Sequence, residues 1–285
     1  MRTIAVPVAN RPECAVALDV AFALGATLGS DVIGYHIRPN RRKSKELDLH
    51  SLVDTAGAWP AESEAQISKA AISANELFSE MAQGYSMELA GKLGTPAAPK
   101  AVFREKLGSA DKLFPLIGPV SDLMVVSRPK KGGGKKASLI MMSALMNTSS
   151  PVLILPQKRV KIDFERIAIA WNNGQTESLL VHGLLPLLKL AKDVVLITEG
   201  RSHQFGASAS DMTQYLKAHG VKARRKQMTA TNTADALVKT AREEKAGMLV
   251  CGAYTRRSLT SQRLFGGVTQ HLLSGSDFPV IMMHV

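Results

Sequence analysis

The chain has 285 residues, 36 Lys+Arg against 24 Asp+Glu, a net charge of +12 and an apolar fraction of 45%. That length exceeds one typical core and fits two of about 140 residues, and the apolar fraction excludes a disordered chain. No uncharged apolar run reaches the ~18 residues of a membrane helix, and Met1-Arg2-Thr3-Ile4-Ala5-Val6-Pro7 has no signal-peptide pattern, so neither feature is expected.

In chain order, Thr3–Val8 is a short apolar run and predicts a first strand. A helix follows to Leu28, with Ala17, Ala21, Leu24 and Leu28 on one face. Gly29-Ser30 ends it, and Asp31–Ile37 predicts a second strand. The polar stretch from Arg38 to Gln66 reads as a long loop or partly helical flap and is expected to hold most of the first half's extra length. Ala101–Arg104 predicts a strand, Ala110–Ile117 a helix, Asp122–Ser127 a strand, and Pro151–Leu155 a closing strand. Met141, Met142 and Met146 fall on a further helix as core fillers.

Pro156–Lys161 is a polar linker, and the order then repeats. Arg166–Trp171 opens the second half as a strand, and Thr176–Leu190 reads as a helix apolar on nearly all sides and therefore buried. Asp193–Thr198 and Val221–Arg224 predict strands. Thr233–Glu244 predicts a helix, with Thr231 or Thr233 as its N-cap. Gly247–Gly252 and Pro279–Met283 predict the last two strands. Strands alternating with helices mean parallel βαβ units. The fold class is therefore α/β, with two tandem doubly wound parallel-sheet domains at 1–157 and 162–285.

Residues 1–157 carry 18 basic and 14 acidic residues, and 158–285 carry 18 and 10, giving +4 and +8. Basic runs such as Arg41-Arg42-Lys43 and Arg224-Arg225-Lys226 can attract anions. With aromatics at 5%, they lack stacking platforms, and they read as solvated loops and helix faces. Nucleic acid and membrane are therefore not expected partners. Cys14 and Cys251 cannot form a disulfide framework, which points to the cytoplasm. Cys251 ends a core strand and is expected to be a buried hydrophobe, whereas Cys14 heads a helix, where a thiolate is somewhat favoured. His36 and His284 fall on strands and are read as structural.

Two copies of this order, each closing in Pro-Val plus aliphatics, resemble a tandem universal stress protein. The resemblance is most specific in Ile169-Ala170-Trp171-Asn172, in Gly252-Ala253-Tyr254 and in Phe265-Gly266-Gly267-Val268-Thr269. It implies an adenine nucleotide α-hydrolase-like fold with an intramolecular pseudo-dimer, in which Val152–Leu155 and Val280–Met283 pair antiparallel. It implies cytoplasmic stress response and, in some members, ATP or AMP binding through Gly-x2-Gly-x9-Gly-Ser/Thr and an Asp after strand one. Here Thr255 stands at the second glycine, ten residues separate it from Gly266, Gly267 replaces the Ser/Thr, and Asn172 stands for the Asp.

The candidate ligand residues are Ala170, Trp171, Asn172, Gly252, Arg256, Gly266, Gly267, Val268 and Thr269. In a doubly wound sheet these loops meet beyond the strands' carboxyl ends. The glycines admit close backbone approach, the helix amino end attracts phosphate, and Arg256, Arg257 and Arg263 could close over it. Thr269 supplies a hydroxyl, and Trp171 packs at the site rim or between the halves. Mg2+ is implied only with nucleotide. The plain alternative is that these glycines serve turns and packing. Gly132-Gly133-Gly134-Lys135-Lys136 fails the P-loop spacing. No catalytic residue is assigned. A non-nucleotide protein-interaction module with an unknown partner, an adenylyl-transferring enzyme of the same superfamily and a nucleic-acid binder remain as alternatives, as do monomer and homodimer.

Overall fold

The computed structural model describes residues 1–39, 64–129, 135–157, 163–199, 206–228, 234–253, 266–274 and 276–284. Most of the 38–66 stretch, Gly132–Gly134, Lys158–Lys161, Thr231, Thr233 and the segment from Tyr254 to Phe265, with Thr255, Arg256, Arg257 and Arg263, lie outside the described residues.

The first half runs β1 (Thr3–Pro7), α1 (Pro12–Leu28), β2 (Asp31–Arg38), α2 (Glu64–Gly84), β3 (Glu88–Leu89), β4 (Lys100–Leu107), α3 (Ala110–Ile117), β5 (Leu123–Ser127), α4 (Lys135–Asn147) and β6 (Val152–Leu155). The second runs β7 (Arg166–Ala170), α5 (Gln175–Leu188), β8 (Asp193–Thr198), α6 (Ala209–Ala218), β9 (Ala223–Gln227), α7 (Ala234–Glu243), β10 (Met248–Gly252), α8 (Gly267–Ser274) and β11 (Val280–Met283). These strands form one sheet in the order β3-β4-β2-β1-β5-β6-β11-β10-β7-β8-β9. The inner strands β1, β5, β6, β10 and β11 and the middles of β2, β7 and β8 are largely apolar and buried on both faces, as parallel strands covered by helices must be, whereas the edge strands β3 and β9 are mostly exposed.

Every pairing between the named strands within a half is parallel, and the halves join through one antiparallel pair, β6 with β11. Its register sets Val280 opposite Ile154, Ile281 opposite Leu153 and Met282 opposite Val152. All six side chains are fully buried. The junction covers two edges that would otherwise be open templates for other chains. The outer edge at β9 is blunted by charge instead: Arg224 meets Asp193 at 2.8 Å and Glu244 at 2.6 Å, and Lys226 meets Glu244 at 3.2 Å.

Within each half the sheet winds both ways. β1 pairs with β2 on one side and β5 on the other, and β7 pairs likewise with β8 and β10. α1, α2, α5 and α6 bury their apolar residues on one face, and α3, α4, α7 and α8 bury theirs on the other. Pro12 opens α1, where its missing N–H costs nothing, and Gly29 ends it in the left-handed conformation at φ 63°. Met141 is buried and Met142 and Met146 pack beside it, as their spacing predicted.

Two expectations change. The apolar composition of α5 predicted burial on all sides, but only one face is buried, through Leu180, Val181, Leu184, Leu187 and Leu188, while Leu179 is 40% exposed. No described element covers its outer face, so apolar residues there remain in solvent. The extra length of the first half is also spread more widely than expected. α2 has 21 residues against 10 in α6, and 15 residues separate α2 from β4 against four between α6 and β9.

Asp122 clamps the start of β1 to β5. Its carboxylate accepts from the backbone N–H of Arg2, from Thr3 N at 2.9 Å and from the Thr3 hydroxyl at 3.2 Å. Burial works against the charged form, but these donors outweigh it and hold the pKa below the ordinary 3.8. A depressed carboxylate pKa gives stability that is present above the unfolded value and lost as pH falls through the folded one. Asp122→Asn should therefore be less stable than wild type near pH 6, and the gap should close below about pH 4. Thermal melts across that range check this, and a gap persisting at pH 2 would refute the charge-based account.

Candidate functional site

The site begins where neighbouring strands part. β7 and β10 pair up to Ile169 and Val250. Beyond them the chains turn away from each other: Trp171 N donates to Ile197 O in β8, and Ala253 N donates to Met283 O in β11, both at 2.9 Å. This is the switch point of the second half, where an open α/β sheet leaves a crevice at its carboxyl end. α5 starts from one side of the crevice and α8 lies on the opposite face of the sheet.

The expected residues divide. Ala170 and Asn172 stand at the mouth. The Asn172 side chain is exposed, and its Oδ1 accepts from Gly174 N at 2.9 Å, closing an Asx turn that carries Asn173 at φ 66° into α5. Trp171 is not at the rim. It is 4% exposed within the core, and its indole N–H donates to Ala207 O at 3.1 Å. The side chain alternates to the interior side of the strand end, so its face is not offered to a base. Gly252 ends β10 fully enclosed. Gly266 precedes α8 and accepts from Gln270 N at 2.9 Å, while Gly267 opens the helix exposed, with space for a Cβ and nothing within 4 Å of it. Val268 is half-buried, and Thr269 is buried. Arg256 lies outside the described residues.

Sequence reasoning missed the group that fills the crevice. Glu177 sits in the first turn of α5, is 2% exposed, and its Oε1 accepts from Gly252 N at 3.2 Å. A carboxylate thus takes the N–H that β7 no longer reaches. The available signal was one acid in the opening turn of a helix otherwise rich in leucine. Its neighbour Cys251 is buried, and burial first, then the Glu177 charge, pushes its thiol strongly up, as expected of an inert core cysteine.

The two halves can be aligned from their backbone bonds. Val8 N donates to Tyr35 O as Trp171 N does to Ile197 O, and Arg128 N donates to Leu155 O as Ala253 N does to Met283 O. Four residues after Val8, α1 starts, as α5 does four after Trp171. Asn172 thus corresponds to Ala9, Glu177 to Cys14, and Ala253 to Arg128. At these two positions the first half therefore lacks the carboxamide and the carboxylate of the second, although Asn10 and Glu13 stand one residue away in its own loop and first turn. Cys14, expected to favour thiolate, is corrected: burial pushes it up to about 11, against a small opposing effect of its hydrogen bond with Ala9. His36 is structural, its Nδ1 lying 2.9 Å from Val8 O.

Among the described residues no group of three or more metal-ligating side chains comes together, and no helix is long and apolar enough to cross a membrane. A shallow groove between α7 and α8 holds its own pairs, His271 with Asp235 at 3.1 Å and Arg242 with Asp277.

A model of the universal stress protein family matches residues 170–284. No curated protein matches the chain by sequence. Among solved structures, a universal stress protein from Archaeoglobus fulgidus DSM 4304 superposes with a TM-score of 0.64 at 14% identity, covering 99% of this chain and 96% of that one. A putative universal stress protein from Pseudomonas aeruginosa UCBPP-PA14 gives 0.55 at 14% identity, covering 100% and 93%. A functionally unknown protein from Pseudomonas aeruginosa PAO1 gives 0.54 at 14% identity, covering 100% and 92%. At such identities the likeness is one of fold, and it spans both halves. Residues 170–284 are thus the part of the chain that the universal stress protein family model matches, and the first half repeats their strand-and-helix order.

Proposed function

We propose that the chain is a stress-response binding module of two domains whose second domain takes the phosphate end of an adenine nucleotide, ATP or AMP, at the mouth between β7 and β10. The observation that carries this reading is the open start of α8, where exposed Gly267 leaves backbone N–H groups approachable beside a switch-point crevice. Phosphates would lie outward at Gly266 and Gly267. The deeper crevice holds the Glu177 carboxylate, which favours hydroxyl or amino donors of a ribose or base over another anion. Mg2+ would arrive with the phosphates, since Asn172 is a weaker cation ligand than an aspartate. We assign binding rather than turnover because the polar side chains of Asn172 and Glu177 at the mouth are each engaged with a backbone N–H group.

The same Glu177 carboxylate supports a second reading, a protein-interaction module without an anionic ligand. Calorimetry with ATP separates the two. Wild type should bind no tighter than micromolar. Gly267→Asp sets a negative charge beside the phosphates, which at an effective dielectric constant of about 20 weakens binding about tenfold or more. An acid at a helix start also favours the helix, and the added atoms meet no neighbour, so lost binding would not reflect lost folding. Absent heat in wild type, or equal heat in Gly267→Asp, would refute the assigned site.

A further inference from the structure

Arg128 directly follows β5, yet its guanidinium works in the other half. The residue is 3% exposed. Nε donates to Leu272 O at 3.0 Å and Nη1 donates to Phe278 O at 3.1 Å, while Nη2 is buried with no hydrogen-bond partner among the described residues. Burial pushes the guanidinium down to about 10, with the Asp277 charge drawing it back up, so it stays protonated at neutral pH. Asp277 itself pairs with Arg242.

A buried cation needs compensation, and here the carboxyl end of α8 supplies it. Leu272 lies in the last turn of α8, so its carbonyl is one the helix cannot satisfy internally. Phe278 belongs to the segment that leads into β11. One side chain from the first half therefore holds both ends of the α8–β11 connection. α8 is eight residues long, about 12 Å, and behaves as one rigid piece, so fixing its last turn also fixes its first. That first turn is where the phosphates are proposed to lie.

We propose that Arg128 is a positioning residue for the ligand site of the second half, capping α8 from the first half and thereby setting where Gly266 and Gly267 present their N–H groups. This inference rests on the site proposed above. The coupling runs one way, because the counterpart of Arg128 in the second half is Ala253, which has no group to return to α4.

The test compares wild type, R128M and R128K as full chains, by amide hydrogen exchange and by ATP calorimetry. Met keeps the stem and removes the donors, and Lys keeps the charge but can serve fewer acceptors at once. In R128M the amides of Leu272, Leu273 and Ser274 should exchange about tenfold faster, those of Leu184, Leu187 and Leu188 in α5 should keep their wild-type rates, and the Kd for ATP should rise about tenfold. R128K should fall between. If R128M does not fold, R128K carries the same comparison at about threefold. Unchanged exchange in α8 overturns the positioning role, and so does equal acceleration in α5, which marks a general loss of stability. A loosened α8 with unchanged ATP affinity overturns the link to the ligand. A wild type that gives no ATP heat overturns the proposed site and that link together, while the exchange result still decides whether Arg128 holds α8.

Discussion

Ile281→Asp is expected to abolish the native fold of both halves at once. Ile281 is fully buried at the middle of β11, flanked by Leu153 on one side and Val250 on the other, which are also buried. A carboxylate there would be a buried charge with no cation in its cluster, at a cost of several kcal/mol beyond the lost apolar contacts. A chain of this kind has only about 5–15 kcal/mol to lose. Ile281→Val removes one methyl group and should cost about 1 kcal/mol. Urea melts followed by circular dichroism compare the variants. Wild type and Ile281→Val should unfold in one transition, and Ile281→Asp should show none. A surviving native-like transition of about half the amplitude would mean that the halves are stable alone.

That outcome matters for function as well as for stability. The β6–β11 pair sets the carboxyl end of β5 beside the start of β11, because antiparallel strands place opposite ends together. Arg128 leaves β5 at that point and reaches Phe278 and Leu272. The junction and the arginine are two consequences of one register. A slip by one residue would turn Ile281 and Leu153 to the other face and carry Arg128 away from both carbonyls.

The parts legible from sequence are those decided by local pattern. Ala110–Ile117 and Asp193–Thr198 match the observed elements to the residue, because a short apolar strand or helix between turn residues has one way to be buried. The antiparallel junction agrees with what the family resemblance implied, though periodicity alone could not have paired Leu153 with Ile281. Trp171 shows the limit on the site side. Its place at the end of a strand suggested the rim, but which face the strand end turns inward is settled by α6 and the Ala207 carbonyl. Glu177 and Arg128 were invisible for a related reason. Each is a single polar residue whose partner lies 75 or 144 positions away, and no local spacing encodes such a contact.

Gly118→Ala should destabilise the chain by about 3 kcal/mol, although Ala is the better helix former by up to about 1 kcal/mol. Gly118 has ordinary helical angles, φ −59° and ψ −54°, so the backbone would accept any residue. Space decides the sign. An added Cβ would stand 2.2 Å from Thr148 O and 2.4 Å from Thr148 Cα, and backbone atoms cannot swing aside as a side chain can. The Thr148 turn is itself fixed, since Ser150 Oγ donates to Gly118 O at 2.6 Å and Thr148 Oγ1 donates to Ala144 O at 2.8 Å. Relief would require α3 and α4 to separate and break these bonds. Gly183→Ala on α5 adds the same methyl group where the nearest atom is Pro151 Cγ at 3.7 Å, an ordinary contact. It should stabilise by about 0.5–1 kcal/mol through helix propensity alone. Urea midpoints for the two variants should therefore move in opposite directions from wild type, and a shift of the same sign would refute the packing assigned to the α3–α4 contact.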